Sequence, residues 1–515
     1  MTMSRDTLSL DKLRRAAKAL RKGYLAGEPH AFERLRVHAP RSDGAELRHA
    51  DYLHVIAREQ NFASWPALKL AAETVGLDRA GRQQRLKIAL AHGQIEVVQH
   101  LLAETPDLAE GLLGCAIALY DLEAVKAALW EDPKAAVTLL GPRSPMVHLC
   151  FSKMIHALPE RRADMLEIAA LLQANGADVN DALAGPEGHG LSVLYGALGH
   201  ANNMVLAQWL LDQGADPNDG ESLYHSVELG HTRGLEMLLK AGADPKGTNA
   251  LLRALDFNDH GAVAMLLAAG ADVSEFAAEP VGGEAPWVIP ALHQAARRMC
   301  DRRMVDLLLA AGADPAEEYE GASAYGYAKV FGNADLVAAI EALGAPALHG
   351  QEALLVEAAA GRVPAGQYLD PAKLPEAYRN LLHNLIGVAG KLDHIKALVA
   401  LGMAFDQPDG QGLTPVQLAG WEGLPEVMVY FLSQKPDLSH VNNYGGTLLS
   451  TIIHGSENCP NREGRDHLAC LELALTHGVA LPRQAIELAG RGDVSDFLRH
   501  WGETYPGQLV EGGLG

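Results

Sequence analysis

The densest group of side chains that could perform chemistry lies near the end of the sequence, in "IIHGSENCPNREGRDHLAC" (452–470). It contains His454, Cys459, His467 and Cys470. Zinc prefers tetrahedral nitrogen and sulfur ligands, so two histidines and two cysteines suggest a metal site. Against this, no Cys-x-x-Cys pair occurs, and Cys470 stands among leucines typical of a buried helix face. We predict no metal here, and we interpret residues 455–467 as an insertion between two helices.

Catalytic motifs are absent from the sequence. "GLSVLYG" (190–196) lacks the second glycine of a Gly-x-Ser-x-Gly nucleophile elbow. Neither a Gly-x-x-x-x-Gly-Lys phosphate loop nor a His-Glu-x-x-His helix occurs. We therefore predict a protein that is not an enzyme and needs no cofactor. An enzyme or metal-binding protein that uses the inserted loops is kept as an alternative.

Charge divides the chain into a basic beginning and an acidic remainder. Residues 1–100 hold 17 Lys and Arg against 11 Asp and Glu, whereas the whole chain has a formal net charge of −21. Nucleic acid binding requires cations that neutralise phosphates, so only the beginning could contribute to it. Its basic residues surround the predicted first helix on all sides and do not form one stripe. We therefore interpret residues 1–78 as a helical capping module and do not expect nucleic acid binding.

Cysteine usage and hydropathy indicate the compartment. The five cysteines are odd in number and widely separated, which does not fit a disulfide framework and suits a reducing environment. No secretory signal or membrane-spanning stretch is recognisable. The expectation is a cytoplasmic protein without membrane association.

A short motif recurs along most of the chain. The tripeptide Gly-Ala-Asp, or Gly-Ala-Pro in the last copy, begins at residues 176, 214, 242, 270, 312 and 344. In "SLYHSVELGHTRGLEMLLKAGADP" (222–245), two stretches of helical periodicity are separated by Gly230, and Gly242 ends the second stretch. A helix pair of this size cannot bury its apolar face alone, so the repeats must stack on one another.

These residues resemble the ankyrin repeat family. The best matches are "LTPVQLAGWEGLPEVMVYFLSQKPDL" (413–438) and "PALHQAARRMCDRRMVDLLLAAGADP" (290–315), and residues 8–75 look like a helical segment that precedes the repeats in many bacterial ankyrin proteins. The resemblance implies an all-α solenoid of about a dozen helix-turn-helix units with an N-terminal helical cap. The predicted domains are the capping module (1–78), the repeat array (79–505) and a C-terminal tail (506–515).

The array departs from the family pattern in several ways. No intact Thr-Pro-Leu-His occurs, and the interval between two pairs of motifs is only 28 residues, against about 33 in the family. Longer intervals predict insertions at 141–164, 274–290, 363–379 and 455–467.

The ankyrin resemblance implies protein binding on the concave face, which the inner helices and the fingers between units form. Counting from each glycine turn predicts that this face carries, besides the C-terminal units, His225, Glu228, Arg253, Phe257, Arg297, Arg298 and Phe331. In the C-terminal units the preferred binding patch consists of Trp421, Glu422, Tyr444, His454 and the loop 456–465, because interface hot spots are rich in Trp and Tyr. Packing of Trp421 against the finger that carries Tyr444 is the alternative interpretation.

The sequence thus predicts a non-catalytic scaffold that binds an unidentified protein partner and is itself a monomer. A regulatory or toxin-neutralising inhibitor of one specific enzyme is the main alternative.

Overall fold

The computed structural model describes residues 9–38, 47, 49–184, 190–274 and 289–511. These residues form 29 α-helices and six short strands, so the chain is mostly helical, as predicted. Most of the predicted insertion at 274–290 lies outside the described residues, as do residues 512–515 of the predicted tail.

Four helices precede the repeats. They are α1 (Leu10–Leu25), α2 (Pro29–Val37), α3 (His49–Glu59) and α4 (Trp65–Thr74). Their buried side chains, among them Leu20, Ile56 and Leu68, form a core of their own. The guanidinium of Arg34 on α2 makes two hydrogen bonds of 2.6 Å to the carboxylate of Glu59 on α3, which fixes these two helices to each other.

The described residues divide into two compact units, which follow each other in sequence at Asp244 and Pro245. The helices of the first unit that follow α4 are α5 (Arg79–Ala91), α6 (Ile95–Glu104), α7 (Leu113–Ala118), α8 (Leu122–Glu131), α9 (Pro145–Cys150), α10 (Arg162–Ala174), α11 (Val193–Tyr195), α12 (Met204–Asp212), α13 (Ser222–Ser226) and α14 (Arg233–Lys240).

The second unit contains the remaining helices. They are α15 (Ala250–Asp256), α16 (His260–Ala268), α17 (Ala291–Arg297), α18 (Arg302–Ala310), α19 (Ala324–Phe331), α20 (Ala334–Glu341), α21 (Gly350–Ala359), α22 (Leu381–Ile386), α23 (Leu392–Ala400), α24 (Pro415–Trp421), α25 (Pro425–Ser433), α26 (Leu448–Asn458), α27 (His467–Thr476), α28 (Arg483–Leu488) and α29 (Gly492–Thr504).

Helix pairs stack in chain order within each unit. In the second unit, for example, α15, α17 and α19 pack successively on one another, and so do α16, α18 and α20. Further along, α24 packs on both α22 and α26, and α25 packs on α27. Each pair therefore buries its apolar surface against its neighbours, which is how repeated helix pairs become stable.

The repeated motif has the same glycine conformation in all six copies, and four copies share an aspartate turn. Its six glycines have φ between 93° and 100°, a left-handed conformation that ends a helix and that other residues adopt only with strain. Two residues after the glycine, an aspartate oxygen accepts a hydrogen bond from a backbone N–H two residues further on. The pairs are Asp178 with Asn180, Asp216 with Asn218, Asp272 with Ser274 and Asp314 with Ala316, at 2.8–2.9 Å.

The six strands are short and connect neighbouring segments. They are β1 (Ala182–Ala184), β2 (Gly190–Ser192), β3 (Glu318–Tyr319), β4 (Ala322–Ser323), β5 (Leu481–Pro482) and β6 (Leu509–Val510). β1 pairs with β2 and β3 with β4 in antiparallel fashion, and β5 pairs with β6 in parallel. The last pairing holds residues 509–510 of the predicted tail against the segment that enters α28.

Candidate functional site

An open groove lies between α24 and α26, and a close approach of these two helices creates it. Gly455 lies within α26, and a Cβ atom added there would be 2.7 Å from the Cα of Trp421. Only glycine permits this distance, because the nearest atoms belong to the backbone and cannot rotate away. The approach brings the Trp421 ring against the ring of His454, with centroids 5.2 Å apart.

The loop before α26 supplies the third aromatic side chain of the groove. Tyr444 is 74% exposed, yet its backbone is fixed by the buried side chain of Asn442. The Asn442 amide oxygen accepts hydrogen bonds from the N–H groups of Tyr444 (3.0 Å) and Gly446 (2.8 Å). Its amide nitrogen donates to Thr451 Oγ1 on α26 (3.3 Å). The Tyr444 ring is therefore presented to solvent by a loop anchored to α26.

The groove has a volume of about 720 Å3. Besides the three aromatic residues, its lining consists of Gln411, Leu413, Leu418, Asn442, Gly446, Ser450, Thr451, Ile453 and Glu457. Hydrogen bonds within α26 and its preceding loop already occupy the hydroxyl groups of Ser450 and Thr451. Among the described lining residues, Glu457 is the only Asp, Glu, Lys or Arg. Three of the four predicted patch residues thus meet at this groove.

Glu422, the fourth predicted patch residue, lies apart from that groove although it follows Trp421 directly. Its carboxylate is 3.5 Å from the Arg465 guanidinium and accepts a weak hydrogen bond from the Cys459 thiol (3.8 Å). Glu422 lines a second cavity, of about 550 Å3, together with Arg297 and Arg298. The consecutive residues Trp421 and Glu422 therefore line two different sites: Trp421 lines the aromatic groove, and Glu422 lines a cavity with charged side chains.

The charged residues predicted on α15 and α17 form a closed cluster around Asp256. One Asp256 oxygen accepts hydrogen bonds from Arg298 (2.7 Å) and Gln294 (2.5 Å), and the other accepts one from Arg253 (2.9 Å). Phe257, which is half exposed, lies with its ring centroid 5.0 Å from the Arg253 guanidinium. Most of these side chains therefore bind each other.

Arg297 and Phe331 correct the prediction that all these residues face solvent. Arg297 is only 5% exposed and donates to Gln294 (2.8 Å). Burial, with a smaller contribution from the neighbouring charge of Arg298, lowers the pKa of Arg297 to about 10. Phe331 is fully buried and stacks on Tyr327 at 4.4 Å. The expectation that Phe331 is exposed is therefore wrong, because its position at the end of α19 turns the ring into the stack.

His225 and Glu228 of the first unit do come together, but in an ion-paired arrangement. His225 Nδ1 lies 2.7 Å from Glu228, and Nε2 lies 3.3 Å from the fully buried carboxylate of Glu221. Burial alone would lower the pKa of this imidazole, but hydrogen bonds to both carboxylates and their charges raise it to about 9. A histidine held between two carboxylates is charged at neutral pH and stabilises the fold locally.

The four residues of the possible zinc site have separate roles. His467 is buried at the start of α27 and its Nε2 lies 2.9 Å from the Trp421 carbonyl oxygen. Cys459 and Cys470 are buried thiols, and burial is the main factor that raises the pKa of each. His454 bonds to Asn458. Within the described ranges, no three His, Cys, Asp or Glu side chains are placed to hold a metal ion together.

Gly455 and Asn442 shape the groove but were not predicted from the sequence, where the only signal is a glycine inside a helical pattern. Glu457 falls within the predicted patch segment 456–465, although it belongs to the end of α26 and not to a loop. Trp130, on α8 in the first unit, is 91% exposed and belongs to a separate shallow depression.

The chain matches no protein-family model, and a search of curated proteins returned no similar sequence. Among the helices of the described residues, none is both long enough and apolar enough to cross a lipid bilayer.

Proposed function

We propose that the chain is an ankyrin-type repeat protein that binds a partner protein without catalysing a reaction. The observation that carries this proposal is the groove between α24 and α26, because Trp421, Tyr444 and His454 all face it. An open aromatic surface on a rigid frame is typical of protein-binding sites, where Trp and Tyr contribute most of the affinity.

The ankyrin part of the proposal is supported by geometry that repeats from pair to pair. The left-handed glycines and the aspartate turns recur in phase with the helix pairs. A histidine contact also recurs. The histidine lies in the first helix of a pair, and its Nε2 is 3.0 Å from a backbone carbonyl oxygen just before the first helix of the next pair. This occurs for His293 with Ala322 and for His383 with Leu413. In this proposal the first helices of the pairs form the concave binding face.

The proposed role of the N-terminal module is to cap the first repeat. Helix α4 packs against α6, the second helix of the first pair. A hydrogen bond of 3.0 Å joins Thr74 Oγ1 at the end of α4 to His100 Nε2 on α6. A stack of repeats needs such a cover at its open end, and we propose that the capped protein acts as a monomer in the cytoplasm.

Affinity capture with the full chain tests the binding function. Intact protein, a Trp421→Ala/His454→Ala double variant and a Trp130→Ala control are each incubated with lysate of the source cells, and bound proteins are identified by mass spectrometry. The proposal predicts a protein that intact chain and control retain and the double variant loses. Equal capture by all three would place the binding surface elsewhere, and loss only with Trp130→Ala would assign it to the first unit.

A further inference from the structure

The charge and the aromatic surfaces of the groove indicate what it binds. Its lining contains two exposed ring surfaces, Tyr444 and His454, beside Trp421, and Glu457 contributes the negative charge. We propose that this groove binds one basic side chain, lysine or arginine, carried by an extended segment of the partner protein. This inference rests on the proposed function and names the chemistry of the partner.

The aromatic residues suit the stem and the charge of such a side chain. One face of Trp421 contacts His454, and the anchored loop holds Tyr444 at the groove. Aromatic faces attract a cation electrostatically and also cover the methylene groups that precede it. A neutral side chain of the same length would gain only the apolar contact.

Glu457 is fixed in a position where it can complete the site. One of its carboxylate oxygens accepts a hydrogen bond of 2.6 Å from the backbone N–H of Gly490, which restricts the side chain. Glu457 is partly exposed at the groove. Glu457 also lines a neighbouring cavity with Arg462, Arg465 and Arg491, but in the groove it is the acidic residue beside three aromatic side chains. A lining of this kind favours a cation over an anion.

The net charge of the whole chain favours the same partner. The formal charge is −21, so a basic segment is attracted from a distance and its approach is accelerated at low salt. An acidic segment would meet both the general repulsion and the local charge of Glu457. The negative charge of the chain therefore attracts a basic partner segment at long range, and Glu457 attracts its basic side chain within the groove.

The test uses small probes, so that it does not depend on finding the partner. The full chain is labelled with 5-fluorotryptophan, and the Trp421 resonance is assigned by 19F NMR of a Trp421→Phe variant. Acetyl-arginine amide and its neutral isostere acetyl-citrulline amide are titrated at millimolar concentrations. We expect the arginine probe to shift the Trp421 resonance saturably, with an affinity about fivefold or more above that of the citrulline probe.

Substitution of Glu457 distinguishes the contribution of charge to probe binding from the contribution of apolar contact. Glu457→Gln should reduce the affinity for the arginine probe about fivefold and leave the citrulline probe unchanged. Glu426→Gln removes an exposed carboxylate from α25, on the second helix of the preceding pair, and should change neither titration.

The possible outcomes separate this inference from the proposed function. Equal affinity for the two probes, or no shift of the Trp421 resonance with either, would overturn the basic side chain as the ligand. In both cases a protein captured through Trp421 and His454 would still support the scaffold. Conversely, a preference for the arginine probe that Glu457→Gln removes, by lowering its affinity to that of the citrulline probe, would support the site even if the capture experiment fails.

Discussion

In the second unit, two sites on the first helices of the helix pairs differ in how many of their side chains remain available to a ligand. The cluster around Asp256 contains three arginines and one carboxylate, and its polar atoms are largely bound to one another. The groove between α24 and α26 leaves Tyr444 and His454 exposed to solvent. Both sites were selected from the sequence by the same rule. The position of a residue on a repeat therefore does not decide whether it can bind a partner. Neighbouring side chains of the same protein can already occupy its hydrogen-bonding groups.

Two histidines, one in each unit, show the same difference between an occupied and an available side chain. The ring of His225 is held by Glu221 and Glu228, whereas the exposed ring of His454 has Asn458 and Trp421 beside it. The first arrangement supports the fold, and the second leaves a ring available to a ligand.

The largest expected effect contrasts two phenylalanines that the sequence placed on the same face. Phe331→Ala should lower the free energy of unfolding by about 4 kcal/mol, because it leaves a cavity in the packed stack. Phe257→Ala should cost only about 0.5 kcal/mol, since that ring is exposed and loses little more than its contact with Arg253. Urea denaturation measures both. Similar costs for the two variants would mean that Phe331 is not buried as described.

Gly455→Ala should break the aromatic groove. Alanine favours a helix by about 1 kcal/mol over glycine, so the substitution would stabilise α26 if there were space. The added methyl group instead meets the backbone of Trp421, and we expect a net loss of about 2 to 3 kcal/mol from overpacking. Gly464→Ala is the matched control, since no atom lies within 4 Å of its added Cβ. A stabilising Gly455→Ala would contradict the close approach of the two helices.

Asp256→Asn should open the closed cluster. It removes the carboxylate that balances Arg298 and Arg253 beside the buried Arg297, and we expect a loss of about 2 kcal/mol in the free energy of unfolding. Asp393→Asn is the control, because Asp393 is largely exposed and pairs with Lys396 on the surface, where such pairs contribute little. Equal effects would show that the cluster around Asp256 is no more than a surface ion pair.

The pH dependence of stability should reveal the ion-paired histidine. The pKa of His225 is raised to about 9 in the folded protein, against roughly 6.5 when unfolded. Its contribution is therefore complete below about pH 6.5 and is lost as the pH rises through 9. We expect His225→Gln to remove about 1 kcal/mol of stability at pH 6.5 and much less at pH 9.5. Glu228→Gln should keep part of the dependence, because Glu221 remains. A constant difference between wild type and His225→Gln across this range would rule out the raised pKa.

The sequence predicts local structure better than surface exposure, for physical reasons. The helix pairs and their glycine turns follow from local periodicity and from the left-handed conformation that glycine adopts. Exposure depends on the rotation of each helix within the stack, so the expectation for Phe331 was wrong. Pairing across tens of residues, such as Arg298 with Asp256, is not encoded in any local pattern. The groove itself depends on Gly455, whose importance arises only when α24 lies against α26.

The affinity of the captured partner for single tryptophan variants decides whether the groove between α24 and α26 is the binding site. Isothermal titration calorimetry compares the intact chain with Trp421→Ala and Trp130→Ala. We expect Trp421→Ala to weaken binding about 30-fold, which corresponds to a hot spot of about 2 kcal/mol. Trp130→Ala should have no effect beyond about twofold. Unchanged affinity for Trp421→Ala would contradict the claim that the groove between α24 and α26 is the binding site.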